Sequence, residues 1–125
     1  MKQVTICVDQ DEIQLALTLL VDPEVFTEEL AELINTFWSG HEERLEESGS
    51  HRTAALKLIA AECFAQASFN NFIHAEYVMN RFDCRLAHGG IEGFPSFHEA
   101  GLELTHIDNF HFPFEAMECS DVDWK

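Results

Sequence analysis

Apolar and polar residues alternate from the start of the chain. Val4, Ile6 and Val8 recur at every second position, and after the polar stretch Asp9-Gln10-Asp11-Glu12 the alternation resumes with Ile13, Leu15, Leu17, Leu19 and Val21. A period of two is that of a half-buried strand, and a polar break between two such runs is a turn, so the pattern predicts a β-hairpin. On the other side of the second run, Ala16, Thr18 and Leu20 are only partly polar, which predicts some cover there as well.

At Asp22-Pro23 the period changes. Asp can cap free amides and Pro suits the first helical position, while Thr27 followed by Glu28-Glu29 offers a second helix start. Leu30, Leu33, Ile34, Phe37, Trp38, His41 and Leu45 then recur at helical spacing without a phase shift at Ser39-Gly40. That predicts one helix with at most a kink in the middle.

Gly49 suits a helix end and Ser50 a new cap, so "ESGS" predicts a helical hairpin. The Ala-rich stretch that follows carries Leu56, Ile59, Cys63 and Ala67 on one stripe, widened by Leu58, Ala61 and Phe64, which predicts a central, largely buried helix. A third helix is expected from Asn70 or Asn71, with Phe72, Ala75, Met79, Phe82 and Leu86 inward and a stop at Gly89-Gly90.

"IEGFPSFHEAG" predicts an ordered surface loop with Phe94 and Phe97 tucked in beside Pro95. "LELTHID" returns to alternation, with Leu102, Leu104 and His106 on one side, and predicts a strand that closes on the hairpin. Phe110, Phe112 and Phe114 alternate too, but Pro113 confines any strand there to an edge, and the acidic tail 115–125 is free to fray. The sum is a single α+β domain over residues 1–125. It has an N-terminal β-hairpin, three helices and one or more C-terminal strands completing an antiparallel sheet, with the helices on one face.

Charge changes the picture. With 125 residues, 46% hydrophobic content and eleven Phe, the chain can bury a core, so its net charge of −16 does not signal disorder. Solubility of a small domain is served by a magnitude of about 2 to 8, well below this. The acids are also clustered. Residues 22–49 hold nine against Arg44 alone, residues 90–125 hold eight against Lys125 alone, and the stretch between them is nearly balanced.

A polyanion of this kind repels nucleic acid and the anionic membrane surface. No apolar run approaches the ~18 to 20 residues of a membrane span, and no signal-like segment opens the chain. The expectation is a cytoplasmic protein with basic proteins or cations as partners. Cys7, Cys63, Cys84 and Cys119 never form a CxxC pair, so neither a disulfide framework nor a zinc ribbon is indicated, and buried free thiols are expected.

The candidate chemistry thins out under inspection. His41-Glu42 begins a helical zinc motif, but Leu45 stands where its second His belongs. Cys84 and His88 are spaced to share a metal, yet His74 lies nearly three turns away and a site needs three or four ligands. His98, His106 and His111, set among acids, form the better alternative cluster, suited to zinc or nickel, with a spacing that matches no familiar signature. No nucleophile elbow, phosphate loop or dinucleotide fingerprint frames the Ser and Cys residues, so neither an enzyme nor a cofactor is expected.

What remains is the predicted first helix. Glu28, Glu32, Glu43, Glu46 and Glu47 would lie opposite its apolar stripe, over about 28 Å at 1.5 Å rise per residue. Carboxylates at that scale resemble the spacing of phosphates along a nucleic-acid strand, about 3.4 Å of axis per charge. The bland alternative is a solvated acidic face. The size of the charge and the scarcity of Lys at i+4 favour a use, namely docking onto a basic groove made for nucleic acid, with Trp38 or Trp124 as an aromatic anchor. A third reading is a homodimeric accessory protein pairing through Phe110, Phe112 and Phe114.

"VDPEVFTEELAELINTFWSGHEERL" and the later "GIEGFPSF" resemble an uncharacterised family of small acidic proteins carried on phages, plasmids and integrative conjugative elements. The resemblance implies a mobile-element origin and brings no active site with it. By lifestyle it implies an inhibitor of a host nucleic-acid-binding defence complex, of the anti-CRISPR or anti-restriction kind.

Overall fold

A computed structural model describes residues 1–10, 13–72, 74–86, 90–109 and 118. The hairpin forms as its alternation requires, from β1 (Lys2–Gln10) and β2 (Ile13–Val21), paired antiparallel in unbroken register from Lys2 opposite Val21 to Gln10 opposite Ile13. Among the described residues five helices follow: α1 (Glu28–Phe37), α2 (His41–Ser48), α3 (His51–Asn70), α4 (Ala75–Arg81) and the single turn α5 (Phe97–Ala100). Strand β3 (Leu102–Ile107) returns antiparallel to β2, so the sheet order is β1-β2-β3. The architecture is α+β.

One sheet face builds the core. Leu17, Leu19 and Val21 of β2 and Leu102, Leu104 and Ile107 of β3 meet Ile34 of α1, Ile59, Cys63 and Phe64 of α3, Phe82 and Phe97. On β1 the matching residues Val4, Ile6 and Val8 are only half-buried, because β1 is an outer strand. The partial cover expected over Ala16, Thr18 and Leu20 is observed as half-burial of all three.

Several boundaries differ from the sequence expectation. Asp22-Pro23 makes a turn, with the Asp22 carbonyl accepting from the amides of Val25 and Phe26; the helix starts at Thr27, whose hydroxyl accepts from the Leu30 amide. The first helix then breaks in two. Trp38 is extended and Gly40 is left-handed at φ 83°, which ends α1 and starts α2 in a new direction. The unbroken helical phase through Ser39-Gly40 is therefore coincidental, and Leu33 and Phe37, read as core, are 71% and 50% exposed.

The expected third helix is real only over α4, after which the chain turns at Phe82, and Leu86 is exposed. In β3 the register slips between Thr18 and Leu19, so the inward sequence is Leu102, Leu104, Ile107 and His106 points to solvent. The tail 115–124 apart from Glu118, with Trp124, Phe110, Phe112, Phe114, His88 and His111, lies outside the described residues, as does Lys125.

Candidate functional site

The break between α1 and α2 is held by one guanidinium. Arg44 Nε donates to Asn35 Oδ1 at 2.8 Å, Nη2 donates to the carbonyls of Asn35 and Trp38 at 2.9 Å each, and Nη1 donates to the Ser39 carbonyl at 2.7 Å. These oxygens lie at and just beyond the last turn of α1, where carbonyls have no helical partner and a positive charge is favoured.

Asn35 is fully buried, and its Nδ2 donates to the His41 carbonyl and faces His51 Nδ1, both at 3.2 Å. Because Arg44 fixes the amide oxygen, the amide nitrogen must face His51, so Nδ1 there acts as acceptor. Arg44 and Asn35 thus join the end of α1 to the starts of α2 and α3. Neither was singled out from the sequence; the one base in a run of nine acids was the available signal.

Inward use of Arg44 has an electrostatic consequence. It is the sole Lys or Arg between residues 22 and 49, and its charge is spent on backbone carbonyls. Glu42, Glu43, Glu46 and Glu47 of α2 are all exposed, and among the described residues none pairs with a Lys or Arg. Glu43, Glu46 and Glu47 therefore remain together as an uncompensated face.

Glu28 and Glu32 are separated from that face by the break, so the straight 28 Å row expected of one helix does not form. Glu32 is exposed on α1, whereas Glu28 is half-buried and accepts the Arg52 amide at 2.8 Å, capping the first turn of α3.

Trp38 is half-buried and turned toward the core. Its ring meets Phe37 edge-on at 4.9 Å and Phe94 at 5.7 Å; Phe94 continues to Phe82, and Phe82 to Phe97. Its Nε1 is buried and, among the described residues, has no hydrogen-bond partner. Gly93, at φ +90°, packs so closely that a Cβ there would stand 2.6 Å from Phe37 Cδ1 and 2.7 Å from Trp38 Cζ2. The "FWSG" and "EGFPSF" stretches therefore meet in space. Leu33 and Phe37, one turn apart on α1, are the apolar groups presented to solvent near this junction.

The histidines do not converge. His98 on α5 lines a cleft of about 430 Å³ with Asp22, Asp83 and Glu103. His106 is exposed on β3 with Nε2 2.9 Å from Asp108 Oδ1. Cys84 is exposed beyond α4, and His74 precedes α4 with its ring against Tyr77. Among the described residues no three His, Cys, Asp or Glu side chains are grouped to hold a metal. Beside the cleft, hydrogen bonds from the Arg85 side chain and amide hold the Asp83 carboxyl down at about 2. Burial pushes the Cys63 thiol well above its ordinary range.

Fold and surface together define a small, strongly acidic α+β protein whose described helices include none long and apolar enough to cross a membrane. Residues 16–119 match the family described as protein of unknown function (DUF2528), and the chain belongs to that family. It is similar to protein ea10 of Escherichia phage lambda and to a lambda prophage-derived protein ea10 of Escherichia coli O6:H1 (strain CFT073). Each is 35% identical over 89 residues, covering 70% of this chain and 71% of the relative. No solved structure matches the chain.

Proposed function

We propose that this protein is a non-enzymatic, acidic binding module that docks its α2 face onto a Lys/Arg-rich groove of a host complex, in place of the nucleic acid that groove normally holds. The observation that carries the reading is the set of exposed carboxylates Glu42, Glu43, Glu46 and Glu47, which pair with no Lys or Arg among the described residues because Arg44 is turned inward. Glu32 extends the acidic surface along α1. Leu33 and Phe37 supply the apolar contact first assigned to Trp38.

The phage and prophage relatives support a mobile-element setting, in which an anti-CRISPR or anti-restriction inhibitor would act inside the host cytoplasm. Charge complementarity of this kind speeds encounter and is screened by salt. The test is capture from host lysate on immobilised protein, comparing wild type with Glu43→Lys/Glu46→Lys. A basic nucleic-acid-binding partner retained by wild type at low salt, and lost both at high salt and on charge reversal, is the expected result. A partner that survives both changes sinks the mimicry.

A further inference from the structure

The two edges of the sheet are treated differently. On the β3 side the strand is short, its register carries a bulge, and the Leu104 amide is taken by Met79 Sδ of α4 at 3.2 Å. Short length, a bulge and a covering helix are the devices that protect an edge from pairing with another chain.

Among the described residues the β1 edge has none of them. Its nine residues, KQVTICVDQ, contain neither Pro nor Gly, pair with β2 without a register shift, and among the described residues make no backbone hydrogen bond other than those to β2. Val4, Ile6 and Val8 are left half-buried along it. In a chain of net charge −16, this strand carries one Lys and one Asp and is formally neutral.

We infer that β1 is a self-association surface, pairing antiparallel with β1 of a second copy to make a continuous six-stranded sheet. The strand's neutrality lets a second copy of this polyanion approach there, and the position of its two charges selects the direction. Antiparallel pairing keeps the two Lys2 side chains, and the two Asp9 side chains, at opposite ends of the pair, with Lys2 opposite Gln10 and Asp9 opposite Gln3, whereas parallel pairing would set Lys against Lys and Asp against Asp. A two-fold axis at Ile6 pairs all nine residues and keeps every side chain on its proper face. It sets Ile6 against Ile6 and Val4 against Val8 of the second copy on the apolar face, and Thr5 against Cys7 on the exposed face. A slip of one residue would place apolar residues opposite polar ones on the wrong side of the sheet. This surface is separate from the α2 carboxylates and does not depend on what they bind.

Light scattering over a concentration series tests the pairing. The expected mass rises from 14.3 kDa toward twice that value with concentration. It should rise further as salt screens the repulsion between two polyanions, opposite in sign to the salt response of the acidic face. Thr5→Lys/Cys7→Lys alters exposed side chains away from the core and sets Lys against Lys across the new strand pair, so it should hold the protein monomeric with an unchanged circular dichroism spectrum.

A second measurement reads the register. In a Cys84→Ser/Cys119→Ser background, Thr5→Cys should give a disulfide-linked dimer with native Cys7 under mild oxidation, and Gln3→Cys should not. A monomer at every concentration and salt overturns the inference, as does a dimer that Thr5→Lys/Cys7→Lys leaves intact or one that cross-links from position 3 as readily as from position 5.

Discussion

Replacing Arg44 with Ala removes four hydrogen bonds at once, and the loss can be estimated from where their acceptors lie. A bond to a charged group contributes about 1.5 to 3 kcal/mol, but water can reach the Ser39 end of the break, so the four do not add. The Asn35 Oδ1 is different, because that residue is fully buried and its acceptor would be left unsatisfied, at about 1 to 3 kcal/mol. Loss of a positive charge at the end of α1 costs a further ~0.3 to 1 kcal/mol.

A total of about 3 kcal/mol is a large fraction of the roughly 5 to 15 kcal/mol that holds a domain together. For a chain of this size it should lower Tm by about 10 °C. Arg44→Lys keeps the charge but loses the planar fork, and should recover less than half of the loss. Thermal unfolding followed by circular dichroism is the assay. A fall of under ~2 °C for Arg44→Ala would refute the claim that this side chain organises the α1–α2 break and is withdrawn from the surface charge balance.

Other consequences are separable. Gly93→Ala combines a positive φ with a Cβ 2.6 Å from Phe37, and should destabilise by about 2 to 4 kcal/mol in urea titration, with a changed Trp fluorescence as the aromatic junction shifts. The Asp83 carboxyl is depressed in the folded state, so its contribution is present above its ordinary value near 3.8 and is lost as pH falls through about 2; Arg85→Ala should return its titration toward 3.8 by NMR. Cys63 is raised, so the folded state keeps the proton that the unfolded chain gives up above about pH 8.5, and stability should decline as pH rises beyond that point. Thiol reagents should modify Cys7 and Cys84 readily and reach Cys63 only on unfolding.

The hairpin and central helix were legible because their signals are local and repeated. Eight apolar residues at a period of two leave one face to bury, and Ser50, Gly49 and the Ala-rich stripe fix both the start and the packing of α3. The break at Trp38 was hidden because a helical phase can persist across a loop by chance. The cue against a continuous helix was chemical: Gly40, free to adopt a left-handed conformation, followed by an Arg able to reach back to the carbonyls it exposes.

His106 was misplaced for a related reason. An added residue in a strand reverses the facing of everything after it, and nothing in "LELTHID" announces the bulge. The acidic surface was visible from composition alone, yet which carboxylates are free was not. Glu28 became a cap and the helix break split the row, leaving Glu43, Glu46 and Glu47 together with Glu42.

Competition for the groove separates replacement of nucleic acid by the proposed α2 face from binding elsewhere on the partner, and it is read by titrating this protein into the captured partner preloaded with labelled nucleic acid. Stoichiometric release of the label, weakened by salt and abolished by Glu43→Lys/Glu46→Lys, is the expected result. A stable ternary complex, with protein and nucleic acid bound together, would contradict it.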